Sequence, residues 1–466
     1  MNDSTVVIET RPRILFGALT RFKCLLIVAV LLACCVPNLG AWAAEPGARE
    51  LPVGLQIPAA AQPGPDFDVD RATAAYIDLL SPAQRAASDA YFEGGYWLQL
   101  WSLLYGLAVA ALLLCTGLSQ RLRDLAGRWG KRAWPRTGLY AIFYLVFTFV
   151  LTLPLSIYSG FVREHQYQLS EQSFGGWLRD QLVGLGVTVV LGTVAICFLY
   201  AVLRRAGRLW WTWASVLTFI ALLLVLMISP VFISPLFNRY QPVPAGEVRE
   251  AVLSMARANQ IPTGHLEWFD ASKQTTRVSA NVSGLWGTTR INLNDNLLEK
   301  TSLPEIKAVL GHEMGHYVLN HVMKMVVYFS VLFTGILLLT HWLLEVSLAR
   351  WGDRLHLRGR EDVAALPLLS AIASLLLFVA TPALNGIVRE DEVEADAFGL
   401  NAAREPYGFA MVAMRLSSYR KISPTPLEEV LFFDHPSGYH RVRAAMLWQK
   451  ENLPAAAAAA KDPARQ

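Results

Sequence analysis

The chain has 466 residues, of which 54% are hydrophobic and only 17% charged, with a mean hydropathy of +0.35. A water-soluble globular protein of this size carries about a quarter charged residues, so the composition excludes that class. It points to a mainly α, polytopic membrane protein. The net charge of +4 lies in short arginine-rich loops between apolar runs, so no nucleic-acid partner is expected.

Residues 1–43 place Arg11, Arg13, Arg21 and Lys23 ahead of a short apolar core from Cys24 to Val36. Pro37 and the small-x-small string Ala41-Trp42-Ala43 follow. That order favours a signal peptide; counted back to Ile14, the same run could serve as a first membrane helix. Residues 44–95 then form an extracytoplasmic segment with a proline-rich start. Apolar windows near 96–118, 138–159, 182–203 and 209–230 read as membrane helices within a unit spanning 96–234. Two more, near 324–344 and 364–384, fill residues 324–384, giving six or seven transmembrane helices in all.

Charge orients them. Arg121, Arg123, Arg128, Lys131, Arg132 and Arg136 follow the first window, Arg204, Arg205 and Arg208 the third, and Arg350, Arg354, Arg358 and Arg360 the fifth. The positive-inside rule puts these loops in the cytoplasm and everything on the opposite side outside it. Trp97, Trp101, Trp210, Trp211 and Trp213 sit near window ends as interfacial anchors. The cysteines (Cys24, Cys34, Cys35, Cys115 and Cys197) lack ligand spacing, so metal binding falls to His and Glu.

Residues 235–323 carry the first half of the chemistry. Val278–Gly284 and Arg290–Asn294 read as strands of a small hairpin joined by a turn at Leu285–Thr289. Ser302 to Glu305 then forms a capping box with Pro304 in the first turn, and Ile306, Val309 and Leu310 supply an apolar helix face. On that helix stands His312-Glu313-Met314-Gly315-His316. Histidines four apart project from one face and can reach one Zn²⁺, while Glu313 is offset and suited to accept a proton. His321, five residues past His316, is turned off that face and is expected to pack or cap.

The second half lies in 385–454, before a tail, 455–466, of disordered composition. Asn385, Arg389, Glu392 and Asp396 are spaced 0, 4, 7 and 11, a helical stripe roughly 60° wide. A zinc ion with two histidines lacks a third protein ligand, and the stripe selects Glu392 over the chemical rivals Glu390, Asp391 and Glu394. Asp396, one turn on, can accept a hydrogen bond from the far nitrogen of a ligating imidazole.

From about residue 80 onward the chain resembles the integral-membrane zinc metalloendopeptidases of the CAAX prenyl protease 1 family, of the gluzincin type. The resemblance rests on Pro230 to Tyr240, Gly311 to Tyr317 with Asn320-His321, Asn385 through Phe398, and His435-Pro436 with Arg441. Phe161, Glu164 and Trp177 to Asp180 echo a further loop. It implies a ring of membrane helices around a water-filled chamber, with one Zn²⁺ per chain held by His312, His316 and Glu392. It implies Glu313 as general base, His435 as oxyanion donor, and Arg441 fixing the site. An extended peptide would pair with the edge strand at Ser279, Ala280 and Asn281, where the family usually begins with asparagine.

The implied substrates are membrane-associated or lipidated proteins. The charge pattern, the abundance of alanine and the excess of arginine over lysine point instead to a bacterial inner membrane with the site facing the periplasm. Quality control of membrane proteins, without CAAX specificity, is therefore the alternative. A di-iron hydroxylase needs more histidine clusters than nine histidines supply. A transporter or catalytically dead scaffold would not need a complete ligand set with its base.

Overall fold

The computed structural model describes residues 51–453 except 263 and 285–288. The leader, most of the Leu285–Thr289 turn and the tail lie outside the described residues. A short helix, α1 (Val69–Ile77), leads to α2 (Pro82–Cys115). A surface helix, α3 (Leu118–Trp129), then turns the chain back into α4 (Ala133–Gln166), α5 (Phe174–Arg205) and α6 (Gly207–Phe237). Next come β1 (Tyr240–Pro242), α7 (Glu247–Ala258), β2 (Leu266–Phe269), β3 (Ala280–Ser283), β4 (Arg290–Asn294) and α8 (Asp295–Lys300). The chain continues through α9 (Leu303–Val318), α10 (His321–Trp351), α11 (Leu366–Ala403), α12 (Pro406–Leu416), α13 (Pro426–Phe432) and α14 (Gly438–Asn452).

Six helices among the described residues, α2, α4, α5, α6, α10 and α11, are long and apolar enough to cross a membrane. Their outer faces leave Val190, Val331 and Val379 63–70% exposed, a surface suited to lipid rather than water. The first span starts well before the window near 96. Ser81 caps α2, its Oγ accepting from the Gln84 N–H at 3.2 Å while Gln84 Oε1 accepts from the Ser81 N–H at 2.8 Å. This reciprocal cap starts the helix at Pro82, so the expected boundary at 95 falls inside one continuous helix.

The arginine-rich loops gather at one end of the bundle. Arg123 Nη1 donates to Asp362 Oδ2 at 2.7 Å, Ser119 Oγ to the Ala364 carbonyl at 2.9 Å, and the Tyr200 hydroxyl to the Asp362 carbonyl at 3.3 Å. The lobe that includes residues 240–318 meets the opposite ends of α4 and α5, where Arg277 pairs with Glu164 and Gln274 donates to Asp180.

That lobe holds a four-stranded sheet in the order β1-β2-β4-β3. β3 and β4 pair antiparallel, Ala280 opposite Leu293 and Val282 opposite Ile291, while β2 and β4 run parallel. One side of β3 is therefore a sheet edge. Val282, Ile291 and Leu293 pack with Ile306, Leu310 and Met314 of α9 into a shared apolar core. Arg277 Nη2 ties the lobe to the membrane helices by donating to Glu164 Oε2 and to Tyr91 Oη, each at 2.8 Å.

α9 starts where Glu305 accepts from the Ser302 N–H and hydroxyl at 2.8 and 2.7 Å. α9 then packs on α11 almost backbone to backbone. A Cβ on Gly399 would sit 2.7 Å from the His312 nitrogen, and one on Gly311 would sit 2.9 Å from the Gly399 oxygen. Glycine at this crossing is what brings the two helices close enough to share a ligand cluster.

Candidate metal centre

α9 contributes His312 and His316, and α11 contributes Glu392. The two Nε2 atoms are 3.1 Å apart. Glu392 Oε2 lies 3.2 Å from His312 Nε2, and Oε1 lies 3.3 Å from His316 Nε2. Three donors at bonds of about 2.0–2.1 Å in a tetrahedron would be separated by about 3.3 Å. The cluster therefore has the dimensions of a zinc or similar site. Lone pairs this close repel unless a cation or proton lies among them, and Glu392 Oε2 is buried without an aligned hydrogen bond. The donor set fits a metal.

The outer nitrogens of both imidazoles are held. His312 Nδ1 lies 2.8 Å from Asp396 Oδ1, and Asp396 is clamped by a two-point contact from Arg441, Nε to Oδ2 at 2.9 Å. An N–H on Nδ1 donated to Asp396 leaves the Nε2 lone pair facing the cluster. Burial disfavours charge on His312, yet the Asp396 and Glu392 carboxylates beside it push its pKa up to about 9. His316 Nδ1 lies 2.9 Å from His321 Nδ1, and His321 Nε2 lies 3.1 Å from Glu394 Oε2, which Lys324 Nζ also contacts at 2.7 Å.

His321, expected to pack or cap, meets the His316 ring instead of turning away from it. It is fully buried and orients His316. The reckoning by helical spacing failed because Asn320 adopts a left-handed conformation, φ +57°, which breaks the helix between the two histidines. The Asn320-His321 pair after the motif was the available signal.

Glu313 lines the cleft beside His312, and burial pushes its carboxyl above the usual carboxylate range. His435 reaches the cluster from a loop, its Nε2 3.3 Å from Glu392 Oε2 and its Nδ1 2.7 Å from Asp434 Oδ1. Asn385 and Arg389 point elsewhere on the same stripe. Asn385 Nδ2 donates to the Leu431 carbonyl at 3.0 Å, and Arg389 Nη1 to the Glu429 and Phe433 carbonyls at 2.8 and 2.6 Å. They fasten the segment leading to His435.

Ser279 and Ala280 line the cleft. Asn281 does not; its Oδ1 accepts from Asn292 Nδ2 at 3.0 Å across the strand pair. Alternation along β3 turns it away from the face that Ala280 presents. Ser279 is held through its N–H, which donates to Asn294 Oδ1 at 3.0 Å.

Residues 70–239 match a family model described as the CAAX prenyl protease N-terminal region with five membrane helices, and residues 242–449 match peptidase family M48. The chain is 29% identical over 384 residues to an uncharacterized metalloprotease, YhfN, of Bacillus subtilis (strain 168), covering 81% of this chain and 88% of that one. It is 26% identical over 310 residues to CAAX prenyl protease 1 of Saccharomyces cerevisiae, covering 63% and 68%. The crystal structure of S. mikatae Ste24p superposes with a TM-score of 0.67 over 94% of this chain and 99% of that one. At 19% identity that likeness speaks for the fold.

Proposed function

From the premise that the chain belongs to the CAAX prenyl protease 1 type of M48 peptidases and is a membrane metalloendopeptidase, we propose that His312, His316 and Glu392 hold one zinc ion at its active site. The observation that carries this reading is the 3.1–3.3 Å triangle of donors from two helices. Bound there, zinc supplies a Lewis acid that polarises the scissile carbonyl and acidifies the attacking water. Glu313 takes the proton from that water and delivers it to the leaving amine, a task its burial-raised pKa suits. His435, anchored through Nδ1 by Asp434, presents Nε2–H to the oxyanion. Arg441 keeps Asp396 ionised against His312, and so keeps the imidazole in its ligating tautomer.

The substrate lies extended along the free edge of β3, its main chain paired to the strand and Ser279 supplying a polar contact. Relatives named CAAX prenyl proteases support lipidated or membrane-associated proteins as substrates. The clustering of arginine loops at the end opposite the metal centre favours a second reading. In it, an inner-membrane enzyme faces the periplasm and degrades membrane proteins there. A hydroxylase finds no support in these matches.

Glu313→Gln is the test. Peptide cleavage in detergent-purified protein should fall at least about a thousandfold, with the zinc content measured by mass spectrometry unchanged. Full turnover in that variant removes the mechanism.

A further inference from the structure

The cleft at the metal centre has a volume of about 370 Å³ and two chemically different groups of lining residues. His312, Glu313 and His435 line it, and so do two arginines, Arg277 and Arg420, both near the Tyr419 ring. The guanidinium carbons lie 5.0 Å (Arg277) and 5.9 Å (Arg420) from the Tyr419 ring centre. Arg277 is neutralised by Glu164 at 2.8 Å, and the same Nη2 also donates to Tyr91. Arg420 differs. Among the described residues no hydrogen bond of its guanidinium is seen; it lies over the Tyr419 ring and faces the Asp434 carboxylate, whose charge it favours. The acid facing it, Asp434, has its Oδ1 engaged by His435 Nδ1 at 2.7 Å. A half-buried guanidinium whose facing acid is already committed to His435, in a cleft also lined by apolar Val309, Phe409 and Val412, keeps donors free to receive an anion.

The sheet says which part of a peptide that anion belongs to. A peptide added antiparallel to the free edge of β3 runs opposite to the strand. Its residues on the C-terminal side of the scissile bond then pass the N-terminal end of β3, where Arg277 and Val278 line the cleft. We propose that Arg420 is a specificity residue that binds a carboxylate of the substrate on the C-terminal side of the cleaved bond. This assignment rests on the endopeptidase reading above. The carboxylate is either the chain terminus or an acidic side chain, which the same guanidinium would hold in the same two-point geometry.

The experiment uses the full chain in detergent and three quenched fluorescent peptides of one sequence. One ends in a free carboxylate, one in an amide, and one in an amide with a glutamate placed within the residues after the cleaved bond. Wild-type enzyme should prefer a carboxylate-bearing peptide over the neutral amide by about ten- to hundredfold in kcat/KM, mainly through KM. In Arg420→Gln the charged-to-neutral ratio should fall to about one, and Arg420→Lys should restore part of it. Rescue of the amide by the internal glutamate identifies a side chain as the source; preference for the free terminus alone identifies the terminus. Equal cleavage of all three peptides by wild type overturns the assignment. A loss in Arg420→Gln that strikes charged and neutral peptides alike does so too.

Peptide binding to Glu313→Gln protein, followed by fluorescence anisotropy, separates this from a failure of the endopeptidase reading. Charge-dependent affinity lost with Arg420→Gln supports the subsite whether or not turnover occurs, and charge-independent affinity refutes it.

Discussion

At the scale of single residues, the centre is two imidazoles whose inner nitrogens converge and whose outer nitrogens are held by different devices. His312 leans on an ionised pair, Asp396 with Arg441, while His316 leans on the neutral ring of His321 backed by Glu394. Outer-sphere partners of this kind are worth about ten- to hundredfold in metal affinity. His321→Ala should therefore weaken zinc binding by that factor in chelator competition, with the fold retained by circular dichroism; an unchanged affinity would make His321 a packing residue after all. Protons compete with the ion as well. With its pKa pushed up to about 9, His312 must release a proton to ligate at neutral pH. Apparent zinc affinity should then climb as pH rises from 6 towards 9, by up to about tenfold per unit, and level off above. A flat profile from chelator titrations across that range would contradict the proton-linked picture. The sequence made His312, His316, Glu392 and Asp396 legible because each pair shares one helix, where spacing dictates direction. The side-chain partners of His321 and Asn281 are not legible in the sequence, for the converse reason. One lies past a left-handed break, and the other points according to strand register rather than spacing.

Between elements, the decisive contact is the crossing of α9 and α11. A ligand triangle with 3.1–3.3 Å sides tolerates little drift, and its third corner comes from a helix some eighty residues away in sequence. Gly311 and Gly399 let the backbones approach until no methyl group fits between them. Gly399→Ala must push His312 away, because the new Cβ would meet the His312 backbone nitrogen at 2.7 Å, and backbone cannot swing aside. The expected cost is about 1–3 kcal/mol of stability, with zinc affinity falling alongside it. Gly335→Ala is the control, since nothing lies within 4 Å of its added Cβ. Equal melting temperatures and equal metal content for the two variants would show that the crossing is looser than drawn. The capping box at Ser302 and Glu305 was readable because it is local. The strands β1 and β2, three and four residues long, were not: such short runs acquire strand character only from partners far along the chain.

Across the whole molecule, the apolar windows were legible because bilayer thickness sets their length, and the structure returns six such helices among the described residues. What windows could not supply is how the ends are built. Arg123, the Arg358 N–H and the Tyr200 hydroxyl all bond Asp362 at the basic end, whereas Arg277, Glu164 and Tyr91 brace the peptidase lobe at the opposite end. A molecule polarised in this way has one preferred orientation, because positive loops resist translocation across an energised membrane. On the proposed reading in which the enzyme faces the periplasm, the metal centre would lie away from the cytoplasm. In a bacterial host, alkaline phosphatase fused after Leu453 should be active and green fluorescent protein fused there should be dark. Fusions at Gly130, in the first basic loop, should give the reverse. If the Leu453 fusion fluoresces instead, the active site faces the cytosol and lipid-modified cytosolic proteins regain their place as substrates. If it is dark, peptides must reach the cleft from the outer face of the membrane, and a carboxylate-reading Arg420 would act on chain ends or acidic residues exposed there.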